Sequence, residues 1–89
     1  MARFEVHEAD LATMGQQLNT ADFFFDLGIS YSVGRGVPTD RIAAHKWFNL
    51  AAARGNADAI RYRQEVSGEM TKAEVIEAQR QAREYLSLH

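Results

Sequence analysis

The chain contains no cysteine and lacks any long apolar run among its 89 residues. Without cysteine it forms no disulfide, no thiolate metal site and no cysteine nucleophile. No stretch approaches 18 consecutive apolar residues, so no segment is expected to span a membrane. The first ten residues carry acids and no apolar core, unlike a secretory signal. We therefore expect a cytoplasmic protein.

A strong surplus of charge is also missing, since the net charge is −2. This balance argues against nucleic acid as the main partner. The charge is nevertheless uneven: residues 1–40 hold six acids and two bases, giving −4, whereas residues 41–89 hold six acids and eight bases, giving +2. Two interpretations remain open, namely attraction between copies of the chain and ordinary solvated helix faces.

Strand signals are absent, and the apolar residues recur at helical spacing, so we predict an all-α fold. At this length one domain is expected. Capping residues mark the predicted helix starts at Thr20, at Thr39 or Asp40, at Asn56, and at Thr71, which forms a capping box with Glu74. About five short helices are predicted, over residues 8–18, 21–33, 40–54, 56–66 and 72–86, the last with an apolar face of Val75, Ala78, Ala82, Tyr85 and Leu86.

The second and third predicted helices form the hairpin at the centre of the predicted fold. Gly34, Gly36 and Pro38 form a tight loop between them. Gly28 is costly within a helix unless another helix backbone lies directly over it. We predict that Trp47 is the central core residue. The predicted core of the hairpin comprises Leu27, Gly28, Ala44, Trp47, Phe48 and Ala51.

A shift of 36 residues aligns Ala21-Asp22 with Ala57-Asp58, a period typical of helical-hairpin repeats. The sequence contains Leu27-Gly28, Tyr31, Gly34-x-Gly36-Val37, Asp40, Ala44, Trp47-Phe48, Ala51-Ala52, Gly55 and Ala59. In these positions the chain resembles a Sel-one-like repeat (SLR), a relative of the tetratricopeptide repeats. The whole chain is also similar to small, single-repeat bacterial members of that family.

The resemblance implies a helical-repeat unit, an αα-hairpin of an α-solenoid, used as an adaptor or scaffold rather than as an enzyme. It divides the single domain 1–89 into an N-terminal arm and capping helix (1–20), one full hairpin (21–55), and a partial repeat with a C-terminal capping helix (56–89). Phe23 stands where the family usually has a small Ala and would overpack a stacking interface. We therefore expect no standard repeat before it, and only a short binding groove.

The predicted function is protein binding by a non-enzymatic module, with homodimer formation as the alternative. Three consecutive phenylalanines, Phe23 to Phe25, fan around a helix and cannot all enter one core. Which of the three is exposed stays open, as does burial beneath Phe4, Leu11 and Met14. The basic residues fit either a groove edge for an acidic segment or ordinary surface charge. The predicted partner contacts are Phe23, Phe24, Tyr31, Arg41, Arg61 and Arg63.

Catalytic chemistry has little support in the sequence. Ser30 and Ser32 lack a histidine or acid partner at motif spacing. The Gly34-Arg35-Gly36 loop lacks the other residues of a phosphate-binding loop. A metal site formed by His45 with His7, Glu8 and Asp10 does not match zinc-site spacing, and we expect His45 to face solvent. A small regulatory enzyme is thus the third and weakest alternative, and no cofactor is predicted.

Overall fold

The computed structural model describes residues 20–88, which are helical and contain no strand. This confirms the predicted all-α class for that part of the chain. The predicted arm and helix before residue 20 lie outside the described residues, as does the predicted count of five helices. The described helices are α1 (Ala21–Val33), α2 (Arg41–Ala53), α3 (Asp58–Ser67) and α4 (Lys72–Leu88).

Side-chain caps explain where the helices begin. At α2 the cap is Asp40 rather than Thr39, because the Asp40 carboxylate accepts the Ala43 amide at 3.0 Å. The predicted capping box before α4 is confirmed: Glu74 accepts the Thr71 amide at 2.8 Å, and Thr71 accepts the Glu74 amide at 3.1 Å. At the start of α1 the Thr20 side chain accepts a hydrogen bond from the Phe23 amide. At the start of α3 the Asn56 side chain accepts one from the Ala59 amide.

Helix α2 is the central element, and α1, α3 and α4 each pack against it. Its buried residues lie on more than one side, as a helix surrounded by others requires. They are Ala44, His45, Phe48, Leu50 and Ala51. The turn from α1 to α2 uses Gly34 in the left-handed conformation, and the Asp40 amide closes it by donating to the Tyr31 carbonyl at 2.9 Å.

The close approach predicted at Gly28 is present. A Cβ atom at this position would lie 2.5 Å from two ring atoms of Phe48. The group over Gly28 is therefore the Phe48 ring, not a helix backbone as the sequence suggested. The missing side chain at Gly28 makes room for one of the largest fully buried side chains in the described residues.

Four of the six predicted core residues are buried, namely Gly28, Ala44, Phe48 and Ala51. Leu27 and Trp47 are half-buried and pack against the core from outside. Trp47 thus packs against the core as predicted but is only partly buried, and the fully buried aromatic residue of α2 is Phe48.

Trp47 lies at the edge of the core, in a cluster of rings between α1 and α4. Its ring stacks on Phe24 with centroids 5.6 Å apart and meets the Tyr85 ring at 5.4 Å. The Lys46 ammonium lies 4.6 Å from the Trp47 ring centroid. On α4, Ala78 and Ala82 are buried as predicted, whereas Leu86 is exposed and does not belong to the apolar face.

Candidate functional site

A groove of about 460 Å³ lies between α1 and α3, over the Phe48 position of α2. Its lining is mixed: Phe48 and Val66 are buried beneath it, whereas Val33, Glu65 and Glu69 are exposed. The groove is therefore open to solvent along its rim. It is lined by Ile29, Ser32, Val33, Phe48, Tyr62, Glu65, Val66 and Glu69.

Contacts between α1 and α3 position the two walls of the groove. Near the start of both helices, the Asn56 amide group donates to the Asp22 carboxylate at 3.4 Å. One turn further along, the Phe25 ring meets the Tyr62 ring edge-on at 5.0 Å, and Tyr62 lies 5.6 Å from Phe48. These aromatic contacts hold α1 and α3 together at one end, and the groove lies beyond them.

Two aliphatic residues of the groove lining, Ile29 and Val33, are one helical turn apart on α1. Val33 is 62% exposed, although it belongs to the most apolar class of side chains. Burial of such a side chain stabilises a complex by roughly 1.5–3 kcal/mol. Ser32 donates its hydroxyl proton to the Ile29 carbonyl at 2.9 Å. The groove is thus suited to receiving apolar side chains.

The charged rim of the groove is acidic. Glu65 comes from α3 and Glu69 from the turn that follows it, and Arg41 lies 3.5 Å from Glu69 as an exposed ion pair. Exposed pairs of this kind contribute little. Asp26 is exposed and lies three residues before Ile29 and seven before Val33, so it shares their face of α1. Acids therefore accompany the apolar surface on both walls.

None of the six predicted partner contacts lines this groove. Phe24 is 0% exposed, so its side chain is unavailable to a partner and that prediction is wrong. The reason is the ring cluster: Phe24 packs on Trp47 and meets Tyr85 edge-on at 5.7 Å. Phe23 and Tyr31 are half-buried and pack against the core.

The predicted basic residues do not form one surface. Arg63 donates to the Asn49 side chain at 2.6 Å, a contact that joins α3 to α2. The Arg61 guanidinium lies 5.1 Å from the Tyr62 ring centroid, and Arg41 pairs with Glu69. Each arginine thus has a separate local contact, and the charged residues that line the groove between α1 and α3 are the acids Glu65 and Glu69.

Sequence reasoning missed Ile29, Val33, Glu65 and Glu69. A local signal existed for two of them, because Ile29 and Val33 lie four residues apart on a face that the predicted core did not use. No sequence signal connected Glu65 and Glu69 to that face. Their proximity to α1 depends on how α3 packs, which is a tertiary feature.

His45 contradicts its predicted exposure. It is 2% exposed, and its Nδ1 atom has no hydrogen-bond partner among the described residues. Burial lowers the pKa of His45 below its usual value of 6.5, and the nearby positive charge of Arg63 lowers it further. His45 is therefore a neutral, buried side chain of α2, near the charge of Arg63 and outside the groove lining.

The charges of α4 are largely satisfied within that helix. Arg80 contacts Glu77 at 2.7 Å and Glu84 at 3.3 Å. Hydrogen bonds from Arg80 and Gln81 lower the pKa of Glu77 to about 2. Across residues 20–88 no three histidine or acidic side chains are grouped as metal ligands, and no helix has the length and apolarity that a bilayer crossing requires.

Comparison of the chain with protein-family models, with curated proteins and with solved structures finds no match. The likeness to Sel-one-like repeats therefore stays a prediction from the sequence.

Proposed function

We propose that the protein is a non-enzymatic interaction module that binds a segment of another protein in the groove between α1 and α3. The observation that carries the proposal is the apolar surface of the exposed Val33 and the partly buried Ile29 in a concave site. Exposed apolar surface in a groove is costly in water and is typical of binding sites. A cytoplasmic adaptor or scaffold role accompanies this proposal.

The helical-repeat interpretation is part of the same proposal. It is supported by the contacts of α1 with α3, in which Asp22 meets Asn56 and Phe25 meets Tyr62. These partners are separated by about the 36-residue period of the sequence. Stacked αα-hairpins bring equivalent helices side by side in this way. A binding groove between successive first helices is a natural product of such stacking.

Self-association is the second candidate. The observation that favours it is the exposed apolar side chains on α4, which are Ile76, Leu86 and Leu88. Sedimentation equilibrium over a range of protein and salt concentrations tests it. A dimer that Ile76→Gln weakens would support this candidate, whereas a monomer at all concentrations would remove it.

A photo-crosslinking amino acid placed at Val33 tests the interaction module directly. Val33 is exposed, so the substitution leaves the core intact. Ala53, exposed at the end of α2 and outside the groove lining, is the matched control position. We expect irradiation in the cells of origin to give a discrete protein adduct at position 33 and not at position 53.

Two results would contradict the proposal. Identical adduct patterns at the two positions would show that the groove has no special role. A lack of any adduct at position 33, with the probe shown to react in a free peptide, would remove the groove as a docking surface.

A further inference from the structure

We infer that the segment received by the groove is a basic amphipathic helix, with apolar side chains against Ile29 and Val33 and a Lys or Arg side chain beside Glu65. This inference rests on the proposed function and names the chemistry of its partner. Three features of the described residues support it: the absence of a sheet edge, the shape of the groove, and the sign of its rim.

The secondary structure of the site selects a helical occupant. Extended peptides gain affinity by adding a strand to an exposed sheet edge. Residues 20–88 contain no strand, and the walls of the groove are the last turns of α1 and α3 together with the turn that holds Glu69. An extended segment would therefore find no sheet edge to extend here. A helix satisfies its own backbone hydrogen bonds and needs the groove only for its side chains.

The groove is also the right size for one face of a helix. On α1 the lining runs from Ile29 to Val33, and on α3 it runs from Tyr62 to Val66, with Glu69 in the turn that follows α3. Each helical stretch covers roughly 6 Å along its axis, or a little more than one turn. A helix would therefore place two or three anchors at i, i+3 or i+4, and i+7.

The acidic residues at the rim of the groove favour a partner segment with positive charge. Glu65 makes no ion pair with any other residue between 20 and 88, whereas Glu69 already has Arg41. Arg63 is directed to Asn49, away from the groove lining. Glu65 is thus the acid available to a cation of the partner, and Asp26 extends the same sign along α1.

Two occupants from this chain itself fit less well. Residues 1–19 carry Glu5, Glu8 and Asp10 against Arg3 alone among the arginines and lysines, so their charge has the same sign as the rim. Helix α4 has no surplus of positive charge, because its three bases (Lys72, Arg80, Arg83) are balanced by three acids (Glu74, Glu77, Glu84), and Arg80 is already engaged by Glu77 and Glu84. A partner protein with unpaired lysines or arginines offers better charge complementarity.

A pair of designed peptides tests this inference with the full chain. The probe is a fluorescein-labelled helix of about 15 residues, stapled because short helices are marginal in water. It carries Leu at i, i+4 and i+7 and Lys on the flanks. The control peptide has Glu in place of each Lys. Fluorescence anisotropy up to about 100 µM protein covers micromolar affinities.

We expect the Lys peptide to bind at least about tenfold more tightly than the Glu peptide, with the difference shrinking as salt rises. Glu65→Lys should weaken the Lys peptide by at least about tenfold, since it replaces attraction with repulsion. Val33→Gln should weaken both peptides. Glu84→Lys is the matched charge reversal, exposed on α4 and outside the groove lining, and should change binding by less than about twofold.

The inference is overturned if the Lys peptide does not bind, if the Glu peptide binds as tightly, or if Glu65→Lys and Glu84→Lys have equal effects. Self-association that Val33→Gln abolishes would assign the groove to a second copy and also overturn it. If these results occur while position 33 still gives a discrete adduct in cells, the partner chemistry is wrong and the proposed function stands.

Discussion

At the scale of single residues, the fold depends on how the buried side chains of α1 and α2 pack. Phe48 is buried against Gly28, where any Cβ atom would collide with its ring. Phe24 is buried by Trp47 and Tyr85. His45 is buried without a partner for its Nδ1 atom, which is a cost that the packing of α2 and α3 must offset.

Gly28→Ala tests the contact with Phe48. In a helix exposed to solvent this change would stabilise by about 1 kcal/mol. Here we expect the free energy of unfolding to fall by about 1–3 kcal/mol, because the added Cβ would lie 2.5 Å from the buried ring. Urea denaturation measures the difference.

The matched control is Gly68→Ala. At Gly68 the backbone φ is −62°, which suits alanine, and the nearest atom to a new Cβ is the Glu65 carbonyl oxygen at 3.4 Å. We expect a change within about 0.5 kcal/mol. Equal effects at the two glycines would disprove the account of Gly28.

His45 makes stability depend on pH. Burial lowers the pKa of His45 in the folded protein below the usual value of 6.5. At a pH between the folded-state pKa and 6.5, the unfolded chain therefore binds more protons than the folded chain. The free energy of unfolding should therefore be largest above pH 6.5 and should fall as the pH decreases through this window. Urea denaturation between about pH 7.5 and 5 measures the slope of the free energy of unfolding against pH.

His45→Leu removes the titrating group and its unpartnered nitrogen. We expect this variant to lose the part of the slope that lies just below pH 6.5. A variant that retained the full wild-type slope would show that other groups produce it.

At the scale of helices, the sequence contained most of the necessary information. The bounds of α1 agree with the predicted range, and the reciprocal bonds of Thr71 and Glu74 follow from their spacing. These features depend on contacts within three or four residues. The burial of the Trp47 and His45 side chains could not be predicted from contacts within three or four residues, because different helices cover adjacent faces of α2. Periodicity shows that a face is apolar, but not which helix covers it.

Asp40→Ala tests the cap of α2. Loss of the bond from the Ala43 amide should lower the free energy of unfolding by about 1 kcal/mol, as for other N-caps. Thr39→Ala is the control at the other candidate position and should cost less than about 0.5 kcal/mol. Thermal or urea unfolding monitored by circular dichroism compares them. A larger loss at Thr39 would show that the cap is misassigned.

At the scale of the whole molecule, α2 organises the fold and α1 with α3 produces the site. The groove combines residues from three helices, which explains why sequence reasoning placed the binding surface at Phe23, Phe24 and the arginines instead. The fold class was predictable from local periodicity. The acidic rim was not, because Glu65 and Glu69 line a groove with Ile29 and Val33 only in the folded chain.

The most direct measurement is backbone amide shift mapping of the labelled full chain, titrated with the partner segment recovered from the adduct at position 33. The account predicts that the largest shift changes fall in residues 29–33 and 62–69, which carry the lining of α1, of α3 and of the turn after α3. Residues 72–88 should change little. Changes concentrated in α4, or spread evenly over the described helices, would contradict the claim that this groove is the docking surface.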